Sequence, residues 1–117
     1  MGNPVVHFEI AGREGEKLES FYKGLFGWNI ERRITGGYPY GYIKTGGERG
    51  IDGGIRHEPE GKPEVVFYVE VAELAVAVEK AKELGGSVRI PPMNTPEVTF
   101  ALILDPEGNS VGMIQKK

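Results

Sequence analysis

Apolar residues along this chain follow two alternating periods. From Val5 to Ile10 every second residue is apolar: Val6, Phe8 and Ile10 share one side while His7 and Glu9 share the other, which predicts a strand with one oily and one polar face. The period then lengthens. Leu18, Phe21, Tyr22, Leu25 and Phe26 recur at helical spacing and Gly27 follows as a stop signal, so a helix is expected over about 14–26, with no Ser, Thr or Asp to cap its start. Trp28 to Ile34, Tyr38 to Thr45 and Ile51 to Arg56 predict three more strands, separated by Gly36-Gly37 and by Gly46-Gly47-Glu48.

The polar, Pro/Gly-rich stretch His57-Glu58-Pro59-Glu60-Gly61-Lys62-Pro63 reads as a linker, with His57 solvated. The pattern then restarts. Val65 to Val71 predicts a strand, Leu74, Ala77, Val78, Ala81 and Leu84 a helix ending at Gly85-Gly86, and Ser87 to Ile90, Val98 to Leu104 and Ser110 to Gln115 three further strands. Asp105-Pro106-Glu107-Gly108-Asn109 has Pro early and Gly late, as a tight turn prefers. A shift of 59 residues lays His7 on Val66, Leu18 on Ala77, Leu25 on Leu84, Gly27 on Gly86, Gly53 on Gly112 and Ile55 on Ile114 without a gap. The chain therefore reads as a duplicated β-α-β-β-β unit.

Composition narrows the chemistry. With 117 residues, 39% of them apolar, this is the size of one small globular domain. The absence of cysteine excludes disulfides, thiolate zinc sites and cysteine nucleophiles, leaving His7 and His57 as the imidazoles available. Fourteen Lys and Arg against seventeen Asp and Glu are scattered, which speaks against nucleic acid as a partner. No apolar run reaches the ~18 residues of a membrane span, and Met1-Gly2-Asn3-Pro4 lacks a signal-peptide pattern, so a cytoplasmic location away from membranes is expected. The 18 glycines are roughly twice the usual ~7% and disfavour a helical bundle.

Three stretches carry a family resemblance: Val5-Val6-His7-Phe8-Glu9-Ile10, then Phe21-Tyr22 followed by Leu25-Phe26-Gly27-Trp28, and the closing Asp105-Pro106-Glu107-Gly108-Asn109 before an apolar strand. Together they resemble the glyoxalase, bleomycin-resistance and extradiol-dioxygenase (vicinal oxygen chelate) superfamily over essentially the whole chain. The resemblance implies an α+β fold in which two tandem β-α-β-β-β modules, about 3–57 and 63–116, form a cup-shaped mixed sheet with helices outside, in a single domain of residues 1–117. It also implies a ligand site inside the cup and often a homodimer. The family's metal site takes one residue from the first and one from the last strand of each module. His7 matches one such position, but the others fall on Val66, Gly112 and Gly53, which cannot ligate a metal.

The expected function is therefore the binding of a small molecule, with no resident cofactor, and with His7 and Glu9 as candidate catalytic residues. An imidazole titrates near neutrality, and a carboxylate two residues along the same strand face is close enough to orient it. The plainer alternative is a hydrogen-bonded structural histidine. Tyr38, Tyr40 and Tyr42 share one strand face and are candidate ligand-binding residues, as is Tyr68 on the Val66 face; Pro39 among them suggests an edge or a strand start. The alternative function is a divalent-metal-dependent lyase, isomerase or dioxygenase using His7 and Glu9. Gly53-Gly54 inside a strand marks a bulge or a close approach. Arg32-Arg33 reads as surface charge, or less plainly as a contact for an anion.

Overall fold

A computed structural model describes residues 2–35 and 38–116, with the side chains of Thr35 and Tyr38 outside that description. The turn expected at Gly36-Gly37 therefore lies outside the described residues. Eight strands and two helices follow in the order β1 (Val5–Gly12), α1 (Gly15–Phe26), β2 (Asn29–Thr35), β3 (Tyr38–Lys44), β4 (Gly53–His57), β5 (Glu64–Glu70), α2 (Leu74–Glu83), β6 (Ser87–Asn94), β7 (Val98–Leu104) and β8 (Ser110–Lys116). The chain is thus an α+β protein made of two β-α-β-β-β modules. It divides into two compact units, one spanning His7–Val65 and the other running from Val66 onward together with the residues up to Val6. No helix among the described residues is long and apolar enough to cross a membrane.

In the first unit the strands lie in the order β2-β3-β4-β1, antiparallel except for the parallel pair β1 and β4. The alternation of β1 decides which residues meet the helix. Phe8 and Ile10 join Ile30, Ile43 and Ile55 in a core closed by Leu18 and Tyr22 of α1 and by Trp28, while His7 and Glu9 fall on the opposite, helix-free face. Helix α1 starts without a side-chain cap and ends at Gly27, whose φ of 69° is the left-handed geometry glycine supplies cheaply. The apolar stripe expected on this helix is only partly used: Phe21, Leu25 and Phe26 are exposed, and the residues buried on it are Gly15 and Glu19. The strand β3 is flanked by both β2 and β4, but its pairing with β4 begins at Tyr40, so Pro39 sits at a strand start where a missing N–H breaks no bond to β4.

The second unit repeats the plan as β5-β8-β7-β6, with β5 and β8 parallel. Val71, Leu74, Val78, Ala101 and Met113 form the core under α2, and Val66, Tyr68 and Leu102 pack with Ile90, Phe100 and Ile114 on the other face. Pro91 and Pro92 fall in β6, an outer strand whose register slips twice against β7.

The internal repeat has one gap, and its place matters. Glu9 pairs with Gly54 in the first unit and Tyr68 with Gly112 in the second. The shift of 59 that relates β1 to β5 thus becomes 58 between β4 and β8. The counterpart of Gly112 is therefore Gly54, not Gly53 as the ungapped comparison implied. Gly53 faces the helix side, where an added Cβ would stand 2.5 Å from the Phe8 carbonyl oxygen; at Gly54 it would run into the ring of Tyr40, and at Gly112 into the ring of Tyr68. A strand slip of one residue exchanges the two faces, which is why sequence spacing alone misassigned the pair.

Both clearances are therefore demanding. Gly53→Ala should destabilise the protein by roughly 2–3 kcal/mol, because the Phe8 backbone cannot yield; Gly54→Ala should cost about 1–3 kcal/mol, because the Tyr40 ring can leave only by giving up its hydrogen bonds to His7 and to the buried Glu9. Urea denaturation followed by circular dichroism reads both; a loss below about 0.5 kcal/mol at either position would contradict the close approach described there.

Candidate functional site

The polar residues on the helix-free face of the first unit are joined by a chain of hydrogen bonds that runs across three strands. Strands lie about 4.8 Å apart, so a side chain on β3 must span roughly 9.6 Å to reach β1. Tyr40 does so by laying its ring over Gly54, where β4 presents no side chain. Its hydroxyl then meets two groups on β1: it lies 3.0 Å from His7 Nε2 and donates to Glu9 Oε2 at 3.0 Å. Glu9 is 8% exposed, and its other oxygen accepts from Arg56 Nη1 at 2.7 Å. Arg56 continues the network, donating from Nη2 to Glu64 Oε2 at 2.9 Å and lying 3.1 Å by Nε from Glu58 Oε2.

A carboxylate withdrawn from water is costly unless donors replace the lost hydration, and here a guanidinium and a phenol do so. His7 and Glu9 share a face as the alternation of β1 predicts, and the Tyr40 hydroxyl lies within hydrogen-bond distance of both. Burial holds the His7 imidazole below its ordinary value of 6.5, with the negative charges of Glu9 and Asp52 pulling the other way and only partly offsetting it. His7 is therefore neutral at pH 7.

Tyr42 stands beside this chain, its ring 5.0 Å from that of Tyr40 and edge-on to it, with the Arg33 guanidinium 4.8 Å over its face. Tyr38 begins the same strand, and its side chain lies outside the described residues. Tyr68 belongs to the second unit, where it is 6% exposed and packed with Val66 and Leu102.

A second polar cluster sits on the helix side of the same unit. Glu19 of α1 is 5% exposed and accepts from Arg32 through both Nε and Nη2, the latter at 2.7 Å, while His57 Nε2 lies 3.0 Å from its other oxygen. Arg32 also donates to Glu16 at 2.8 Å. His57 is thus the last residue of β4, packed against Gly15 at the start of α1, and not a solvated linker residue. Arg32, read from sequence as surface charge, is committed to helix α1. Glu19 is pushed up by its burial, but the hydrogen bonds and charges of Arg32 and His57 outweigh this and hold its carboxyl below the usual range. Only the placing of β2 and β4 on either side of β3 beneath the helix brings these residues together; a Glu on the inner side of an amphipathic helix was the one signal available.

A resident divalent ion needs about three converging nitrogen or oxygen donors. The residues present do not fit one. No group of three or more His, Asp or Glu side chains placed to hold a metal occurs among the described residues. Glu9 is bound by Arg56 and Tyr40, and the glycines standing at the last-strand positions, Gly54 and Gly112, are each covered by a tyrosine ring.

A family model described as "Glyoxalase/Bleomycin resistance protein/Dioxygenase superfamily" matches residues 5–113. No curated protein matches the chain. Among solved structures, a hypothetical protein, BH1468, from Bacillus halodurans is similar with a TM-score of 0.75 at 15% identity, covering 100% of this chain and 96% of its own. A protein described as NAD-dependent benzaldehyde dehydrogenase from Legionella pneumophila follows at 0.69 and 16%, covering 95% and 98%. Methylmalonyl-CoA epimerase from Mycobacterium tuberculosis follows at 0.68 and 12%, covering 97% and 87%. Identities this low show a shared fold and leave the chemistry open.

Both polar clusters make measurable demands. Nuclear magnetic resonance titration should place the His7 midpoint below 6.5, and Glu9→Gln should lower it further by removing a charge that favours the imidazolium; a midpoint above 6.5 would contradict the burial described. On the helix side, Glu19→Gln should cost about 2–4 kcal/mol in urea denaturation, since Arg32 and His57 lose a buried acceptor. Because the folded-state carboxyl titrates below its unfolded value, its contribution is present above about pH 4.5 and is lost as the pH falls through the folded midpoint. The variant should therefore show a flatter stability profile below pH 4.5 than the parent protein.

Proposed function

The chain belongs to the glyoxalase, bleomycin-resistance protein and dioxygenase superfamily, and we propose that within it this protein binds a small molecule on the helix-free face of its first unit without a resident metal. The observation that carries the reading is the Tyr40 hydroxyl standing between His7 and Glu9, over a glycine. In this arrangement hydrogen-bonding groups take the place a metal ion would need, and they are held in a defined geometry before a ligand arrives. Pre-organisation of this kind lowers the ordering cost of binding.

Three groups then have separate roles. His7 supplies a neutral imidazole for a polar ligand atom, Tyr40 fixes that imidazole, and Tyr42 offers an aromatic surface beside it. Arg56 is not available to the ligand as a lone cation, since carboxylates surround it; its part is to hold Glu9 in place. Sites in this fold combine a mostly apolar wall with a few placed polar groups, which matches the chemistry of a small, partly aromatic or apolar ligand.

Thermal-shift screening against a panel of small aromatic and carbonyl compounds tests the proposal. A ligand present at about 100 times its Kd should add roughly 2.7 kcal/mol, visible as a shift of the order of 10 °C. His7→Ala and Tyr40→Phe should remove that shift. Stoichiometric zinc, nickel, manganese or iron that survives dialysis of the purified protein, and is lost with His7→Ala, would overturn the metal-free reading in favour of a metal-dependent enzyme.

A further inference from the structure

The first unit has β2 as its outer strand. It pairs with β3 along its whole length, from Asn29 opposite Lys44 to Thr35 opposite Tyr38, without a slip, and among the described residues no strand pairs with its other side. Alternate residues of β2 therefore direct their N–H and C=O groups away from the sheet. Such an edge is a template for another strand unless it is shortened, bulged, blocked by proline or guarded by charge. The outer strand of the second unit is protected by Pro91, Pro92 and two slips of register. In β2 there are seven residues, with no proline and no slip, and Ile34 is 76% exposed, more than any other large apolar side chain among the described residues.

Charge is the one guard β2 carries, and its pattern is complementary to itself. Antiparallel pairing of Ile30-Glu31-Arg32-Arg33-Ile34 with a second copy, centred on Arg32, sets Glu31 of each chain opposite Arg33 of the other and Ile34 of each opposite Ile30 of the other. Outward-facing residues must meet outward-facing residues, so the register can change only by two residues at a time. One such step in either direction sets Glu31 against Glu31 or Arg33 against Arg33, and an isoleucine against Arg32. Unlike charges opposed across a strand pair stabilise it and like charges disfavour it, so one register is selected. Glu31 and Arg33 are both more than half exposed, and within one chain Arg33 Nε already lies 3.0 Å from Glu31 Oε1. Arg32 meets its own copy at the axis, but each guanidinium is held by Glu19 and Glu16 of its own chain.

We propose that β2 is an interaction edge that pairs antiparallel with β2 of a second copy of this chain, about a two-fold axis at Arg32. The pairing does not depend on the ligand reading of the helix-free face. Seven residues of strand edge cover less than the ~800 Å² per partner of a standard interface, so the dimer forms reversibly and is favoured by low salt.

Sedimentation velocity from about 10 µM to about 1 mM should show the mean mass of the parent protein rise from that of one 12.8 kDa chain toward two. Glu31→Arg and Arg33→Glu each set like charges face to face, and each should stay monomeric over that range while circular dichroism reports an intact fold. Mixed in equal amounts they oppose arginine to glutamate at both positions, and the mixture should dimerise. Amide hydrogen exchange in β2 of the parent protein should slow at least severalfold between the two concentrations, a readout that needs no variant. A parent protein monomeric at millimolar concentration overturns the proposal, as does a folded pair of variants whose mixture stays monomeric. A dimer that survives in both variants, with exchange in β2 unchanged, also overturns it and moves the interface elsewhere, for example to the exposed Phe21 and Leu25 of α1. Protection of β2 by an unrelated extended peptide, with no self-association, would assign the edge to a foreign strand and equally overturn self-pairing.

Discussion

A carboxylate removed from water must be met by donors in the right places, and the first unit carries two, Glu9 on the helix-free face of its sheet and Glu19 on the helix side. Each is answered by an arginine from another strand, Arg56 of β4 for Glu9 and Arg32 of β2 for Glu19, and each has a histidine within its network. The sheet order β2-β3-β4-β1 is what makes these pairings possible, since it places β4 between the strand that carries Tyr40 and the strand that carries His7. The two clusters share β4, whose successive residues Arg56 and His57 point to opposite faces. One strand end thus anchors both the helix and the candidate site.

Glycine is the other half of the arrangement. Side chains on β3 and β1 are too far apart to touch unless the strand between them is bare, and Gly54 makes it bare. The Tyr40 ring then fills the volume above that backbone and delivers a hydroxyl to both His7 and Glu9. The second unit shows the same device in an apolar setting, with the Tyr68 ring over Gly112 among Val66, Leu102 and Ile114. In both units a missing side chain on the last strand is matched by an aromatic ring from a neighbour, which leaves an acidic metal ligand neither a residue nor a space at those positions.

Much of the architecture was legible because it follows from local periodicity. The alternation of Val6, His7, Phe8 and Glu9 assigned the two faces of β1 correctly, and the spacing of Leu18 and Tyr22 located α1. The repeat was legible too, though not its one-residue gap, because register between paired strands is set by backbone hydrogen bonds that leave no mark in the spacing of apolar residues. Phe21, Leu25 and Phe26, read from their spacing as part of the helix's apolar stripe, are exposed, while Glu19 is buried; an apolar stripe indicates that a helix is amphipathic, but the angle at which it packs decides which edge is covered.

For the site, the sequence by itself determined which residue types were on offer: two imidazoles, no thiols, tyrosines at alternate positions, and glycines where acids would be needed for a metal. It also determined that His7 and Glu9 point the same way, since that requires only a strand. Only the tertiary structure decided that Tyr40 stands between them, that Arg56 holds Glu9, and that His57 belongs under a helix with Glu19 and Arg32. Those contacts join residues 13 to 47 positions apart. Their partners are chosen by strand order and register, which are properties of the whole sheet and not of any segment within it.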